Sequence, residues 1–215
     1  MSNRRPGSCK ASYDKPASST RPPRCRTVVY QPEFITRDEE ASLLTEFQSL
    51  PFREAKFHEY FAKRRVVHFH ASGDAPAYEA DDADLISSGP LPPFLSEIKD
   101  KVAAWANVDT GEFVHALVSE YRPGTPIGWH RDRPVYGIVA GISLAGFERM
   151  RWRPFDGRFN PKDVVSLDLE PRSAYLMRDS IRWEWQHSML PTRQLRYSIT
   201  LRTRAPSGTS FAREP

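Results

Sequence analysis

Apolar and polar residues are patterned in two ways along this chain, and the change falls near residue 113. Before it, Leu43, Leu44 and Phe47 recur at helical spacing behind Thr36 and Glu39, an N-cap and its capping-box partner. The spacing predicts an amphipathic helix over 37–49. Phe94, Ile98, Val102 and Trp105 form one stripe and predict a second helix at about 94–105. Beyond residue 113 the pattern becomes short alternating runs separated by turn residues. These predict strands at about 113–121, 127–131, 137–145, 149–155, 164–167, 173–177, 183–188 and 195–203. Two earlier runs, 27–30 and 66–70, are also strand-like. Residues 52–65 interleave Phe52, Phe57, Tyr60 and Phe61 with Arg53, Lys56, Lys63, Arg64 and Arg65, and follow neither period. The stretch 72–93, rich in Gly, Pro and acids, is expected to be a long loop. Helices followed by many strands indicate an α+β domain with a sheet sandwich or barrel behind the helices.

Composition adds a boundary. Residues 1–27 are Ser-, Pro- and Arg-rich with almost no aliphatic content, too little to offset the entropy of ordering. A disordered basic arm is expected there, a folded domain over 28–205, and a flexible tail over 206–215. The arm holds seven cations against Asp14; because the whole chain sums to +4, the arm carries +6 and the remainder −2. Such an arm can track phosphates or be a solvated tail. No apolar run is long enough to span a bilayer, and no secretory signal is expected. With only Cys9 and Cys25 present, no disulfide framework is expected; a reducing, cytoplasmic setting and a monomer are.

Of the histidines His58, His68, His70, His115, His130 and His187, only His130 has a carboxylate two residues on, Asp132. On an extended segment those two side chains share a face. One further histidine on a neighbouring strand completes a two-His-one-carboxylate set with open positions, the arrangement of non-haem iron(II) oxygenases. His187 is the candidate. His68 and His70 also share a face, but without an acid beside them they are expected to be core histidines, as are His58 and His115. In the 196–202 strand, Tyr197, Ile199 and Leu201 form one face and Arg196, Ser198, Thr200 and Arg202 the other. That polar face either meets water or receives a dicarboxylate, which two guanidiniums suit.

Taken together, these motifs resemble those of the AlkB family of 2-oxoglutarate oxygenases. Tyr121 stands nine residues before His130, Arg196 and Arg202 bracket a strand like the family's, and the approach 173–187 to His187 is similar. The likeness spans about residues 28–204. It implies a double-stranded β-helix (jelly roll) with supporting N-terminal helices. It also implies Fe(II) on His130, Asp132 and His187, with 2-oxoglutarate and O2 as cosubstrates. Arg196 would bind the far carboxylate of 2-oxoglutarate, Arg202 would lie near the metal, and Tyr121 and Ser198 would complete the pocket. Ser119 stands where many relatives have Asn, leaving a weaker cosubstrate contact. The implied chemistry is oxidative decarboxylation to succinate and CO2 coupled to C–H hydroxylation; on an N-methyl group the product collapses to formaldehyde and the free nitrogen.

The expected substrate is alkylated DNA or RNA, which the basic arm and the cationic aromatic stretch 52–70 suit. One departure bears on this: Pro134 occupies the position where base-repairing members carry an acid. The alternatives are the same oxidation of a protein side chain or small molecule, and a non-catalytic jelly-roll binding module.

Overall fold

The computed structural model describes residues 28–57, 60–71, 87–155 and 161–206. The basic arm, both cysteines, His58 and residues 207–215 of the tail therefore lie outside the described residues. Among the described residues, the first helix, α1 (Arg37–Phe47), starts as expected. Thr36 accepts the Glu39 amide and Glu39 accepts the Thr36 amide. It ends two residues early, with Gln48 closing its last turn. The second, α2 (Pro93–Ala106), begins one residue early because proline suits the first helical position, and stops at Asn107, whose φ is 55°.

The described residues hold twelve strands, in chain order β1 (Val28–Gln31), β2 (Arg53–Phe57), β3 (Tyr60–His70), β4 (Ser87–Pro90), β5 (Phe113–Tyr121), β6 (Ile127–His130), β7 (Tyr136–Leu144), β8 (Glu148–Pro154), β9 (Val165–Leu169), β10 (Ala174–Met177), β11 (Trp185–Met189) and β12 (Arg196–Arg204). Eight form one sheet, in the order β1-β10-β7-β12-β5-β3-β2 with β4 beside β3, and four form the other, in the order β6-β11-β8-β9. Among the described residues the strand pairings are antiparallel except that of β3 with β4. This is the expected α+β jelly roll. No helix among the described residues is long and apolar enough to cross a membrane.

Three expectations need correction. The aperiodic stretch 52–65 is the hairpin β2–β3, whose charge is carried on the sheet: Arg65 pairs with Glu120 of β5 at 3.0 Å. Part of the expected 72–93 loop is β4, and its end is already α2. The strand expected at 183–188 begins later, at Trp185, because residues Asp179–Trp183 form a short helix, α3. Arg182 in α3 is buried and donates to the carbonyls of Gly137, Arg133 and Tyr136 at 2.8, 2.6 and 2.6 Å. Those bonds hold α3 against the start of β7.

The large sheet is buried on both faces, apolar on the helix side and mixed apolar and polar on the other, and each face covers something different. Leu43, Phe47, Leu95, Ile98 and Val102 of the helices pack on Val67, Phe69, Ala116, Val118, Ala140, Ile142, Ile199 and Leu201. The opposite face meets the small sheet through Tyr121, Val139, Tyr175 and Met177 against Met150, Trp152, Leu169 and Met189. Strand alternation therefore assigns Arg64, His68, His115, Leu117, Ser119, Tyr121, Arg196, Ser198, Thr200 and Arg202 to the inter-sheet side. Tyr197 lies on the helix side, with its ring 5.5 Å from Phe47 and 6.0 Å from Phe52.

Candidate active site

His130 and His187 face each other because β6 and β11 pair antiparallel with those two residues in register. Their ring centroids are 4.2 Å apart. Asp132 follows two residues after His130, and one ligand atom from each of the three lies within 4.8 Å of the others. The His130 Nδ1 is 2.9 Å from the Gly128 carbonyl, which can only accept. That bond puts the ring proton on Nδ1 and leaves the Nε2 lone pair facing Asp132, 3.9 Å away. Burial lowers the pKa of both rings, that of His187 to about 3. Burial also opposes ionisation of Asp132, but the nearby cations, Arg202 foremost, hold its carboxyl well below the usual range. Two neutral imidazoles and one carboxylate are thus ready to bind a divalent cation.

The cleft around this triad opens to solvent. Tyr121, Arg196, Ser198, Thr200 and Arg202 line it, joined by Arg64, Tyr175 and Met189. Arg196 is 1% exposed. Its Nε donates to Ser143 Oγ at 3.0 Å, its guanidinium lies 5.0 Å from the centre of the Tyr121 ring, and its Nη1 has no hydrogen-bond partner. A buried cation with an unsatisfied N–H, opening on a cleft beside a triad that could hold a metal ion, has the chemistry to receive a carboxylate. Ser198 Oγ lies 3.5 Å from the Tyr121 hydroxyl. Ser119 pairs with Ser198 across the strands and its Oγ is buried without a partner, but it does not line the cleft.

Arg202 ties the triad to the core. Its Nη2 donates to Asp132 Oδ1 at 3.4 Å, and its Nη1 lies 3.2 Å from His115 Nδ1. A guanidinium only donates, so His115 Nδ1 must accept. The His115 proton then sits on Nε2, which is 3.1 Å from His68 Nδ1 and donates to it. Burial, followed by the charge of Arg202, keeps both rings neutral, with His68 at a pKa of about 3. The chain Arg202–His115–His68 therefore has one direction and fixes both tautomers. Replacing His115 by Leu leaves a buried guanidinium N–H and a buried imidazole unmatched; denaturant unfolding should show a loss of about 1–3 kcal/mol.

Each expected site residue except Ser119 reaches the cleft. Sequence reasoning missed Arg64, Tyr175, Ser143 and the His115–His68 support. The same-face pair His68 and His70 was the one available signal, since His70 stands opposite His115 in the β3–β5 register. The ring of Tyr175 crosses Gly141, where any Cβ would overlap it.

Comparison with known proteins agrees with this geometry. Residues 27–203 match the family profile described as the 2OG-Fe(II) oxygenase superfamily. The chain is 28% identical over 176 residues, 73% of its length and 48% of the other protein's, to the "Alkylated DNA repair protein ALKBH8 homolog" of Arabidopsis thaliana. It is 29% identical over 99 residues, 40% of its length and 46% of the other's, to "Uncharacterized protein L905" of Acanthamoeba polyphaga mimivirus. The chain thus spans about half the length of the curated relatives it matches. Among solved structures, "The structure of OsALKBH1" aligns over 82% of this chain and 97% of that one, with TM-score 0.62 and 15% identity. A prolyl-4-hydroxylase from Pseudomonas putida aligns over 84% and 93%, with TM-score 0.53 and 17% identity. The structural likenesses carry the fold. The matched profile covers most of the chain and includes the triad and the arginine strand, so the chain belongs to the 2OG-Fe(II) oxygenase superfamily, dioxygenases that use Fe(II), 2-oxoglutarate and O2.

Proposed function

We propose that this dioxygenase holds Fe(II) with His130, Asp132 and His187, binds 2-oxoglutarate between that centre and Arg196, and oxidatively removes alkyl groups from nucleic-acid bases. The observation that carries the site is the partnerless Nη1 of buried Arg196, in the same cleft as the triad. When bound, Fe(II) with 2-oxoglutarate and O2 supplies an oxidation that yields succinate and CO2 and hydroxylates a substrate C–H bond. The protein's part is to place and shield the reactants. Arg196 receives the far carboxylate of the cosubstrate, and Tyr121 and Ser198 offer hydroxyls along its path. Arg202 steadies Asp132 through a charge-assisted bond, and Arg182 clasps the segment that follows it. Tyr175 and Met189 give the cleft apolar wall, and Arg64 sets a cation at its edge.

The nucleic-acid substrate is supported by the similarity, over 73% of the chain, to a protein named for alkylated DNA repair, and by the basic residues 1–27. Exposed Pro134 favours the second reading, oxidation of a protein side chain or small molecule, because no acid stands there to meet a base. Formaldehyde release from N-methylated DNA and RNA oligonucleotides and from methylated peptides, measured side by side, separates the two. Release from an oligonucleotide is the expected result; release from peptides alone would replace the nucleic-acid reading with the second.

A further inference from the structure

Arg64 enters the cleft from β3, a strand that supplies neither a triad residue nor a group assigned to the cosubstrate. Register fixes its place. Arg65 stands opposite Glu120 of β5, so the next step of that antiparallel ladder brings Arg64 opposite Tyr121, which in turn stands opposite Arg196 of β12. The three form one row on the inter-sheet side. Arg64 and Arg196 are two strand spacings apart, roughly 10 Å at the backbone. Arg196 is sealed in the interior, whereas Arg64 is half-buried on the cleft wall. Its charge reaches towards the centre from there. Burial lowers the pKa of His130, and Arg64 is the first of the nearby cations that add to it. Burial raises that of Tyr121, and Arg64 leads the cations that reverse the shift.

Partners separate this arginine from the other two in the cleft. Arg202 donates to Asp132, and Arg196 donates to Ser143 and keeps one N–H for the far carboxylate of 2-oxoglutarate. Arg64 has no hydrogen-bond or ion-pair partner among the described residues. The next acid along the ladder, Glu120, turns to the other side of the sheet, where it accepts from Arg65 and Arg122 at 3.0 and 3.1 Å. The described residues that line the cleft include three arginines and a single carboxylate, Asp132. A divalent ion and the 2-oxoglutarate dianion cancel each other's charge, so the loaded cleft stays positive. A guanidinium partly withdrawn from water is costly without an anion. With one carboxylate of the cosubstrate on the metal and the other on Arg196, the prime substrate is the reactant left to supply that anion.

We propose that Arg64 receives the phosphate next to the base being oxidised, and so selects a substrate that carries an anion beside the reacting carbon. The inference rests on the nucleic-acid reading above and names the group of the polymer that the cleft wall holds. A base that leaves its stack to reach the triad stays joined through its sugar to its flanking phosphates, which follow it to the cleft. The fork of Arg64 offers phosphate oxygens two parallel N–H donors. Arg196 cannot take this part, because it is buried and bonded to Ser143.

The test is a scan of single phosphates. A single-stranded oligonucleotide with one N-methylated base is bound to the full chain with iron(II) and 2-oxoglutarate under anaerobic conditions, and fluorescence anisotropy gives the Kd. Methylphosphonate replaces one linkage at a time and removes its charge. Replacing a linkage adjacent to the methylated base should weaken parent binding by roughly ten- to hundredfold, the loss of a hydrogen-bonded charge pair, and replacing remote linkages should weaken it far less. R64Q should bind the all-phosphate strand more weakly by a similar factor, and in it an adjacent replacement should cost no more than a remote one. R64Q as sensitive as the parent to the adjacent replacement would overturn this assignment and leave the nucleic-acid reading standing. So would a parent that responds equally to every linkage, a result that needs no variant and holds even if R64Q does not fold. A parent that does not bind the strand even at low salt would overturn the assignment together with the nucleic-acid reading.

Discussion

Supplied with iron(II), the protein should convert 2-oxoglutarate slowly to succinate without its prime substrate, and replacing His130, Asp132 or His187 by Ala should abolish that turnover. The three side chains converge from the end of β6, the segment after it and β11, and no other group of three His, Cys, Asp or Glu residues among the described residues could hold a metal. Two remaining ligands form an incomplete set with more open positions than the chemistry tolerates. Asp132 carries the further burden of Arg202. Its loss leaves a buried guanidinium without its carboxylate, so Asp132→Ala should also lower stability, by about 3–5 kcal/mol. Succinate assays on the three variants check the ligand set; full turnover by any one of them would remove that residue from it.

Arg196→Ala should raise the KM for 2-oxoglutarate by roughly thirty- to five-thousand-fold, the equivalent of about 2–5 kcal/mol for a buried carboxylate that loses its charged partner. The neighbouring Tyr197 provides the control. Its ring packs between Phe47 and Phe52 on the helix side, and its hydroxyl lies 3.3 Å from Glu120 Oε2. Tyr197→Phe should therefore leave the KM within about twofold of the parent. Cosubstrate titrations of both variants decide the matter, and equal damage from the two would reverse the assignment of faces.

That assignment was legible in the sequence because a strand has a period of two: once Tyr197, Ile199 and Leu201 are apolar, Arg196, Ser198 and Arg202 must share the other side. His130 and Asp132 were legible for the same reason. His187 was already the candidate third ligand, but nothing local in residues 183–188 identifies the strand it pairs with, so its register opposite His130 came only with the structure. Contacts between distant strands were not legible. His115 and His68 are 47 residues apart, and only the β3–β5 register makes one accept from the other. Ser143, which holds Arg196, is likewise 53 residues away from it. The short helix α3 was hidden because five residues are too few to show a helical period, and its reason for existing is tertiary, the grip of Arg182 on three carbonyls. The hairpin β2–β3 was hidden for a different cause. Arg65, for one, breaks the expected pattern because its partner, Glu120, is supplied by another strand.

The central claim is that one cleft holds a metal ion and 2-oxoglutarate together, the ion on the triad and the far carboxylate on Arg196. Calorimetric titration of 2-oxoglutarate into the protein under anaerobic conditions, with and without iron(II), tests it most directly. The 2-oxo acid end has no cationic partner in the cleft comparable to a bound divalent ion, so binding should be tight with iron(II) and fall by at least about tenfold without it, a difference of about 1.4 kcal/mol. Equal affinity in the two titrations, or no binding in either, would contradict the account.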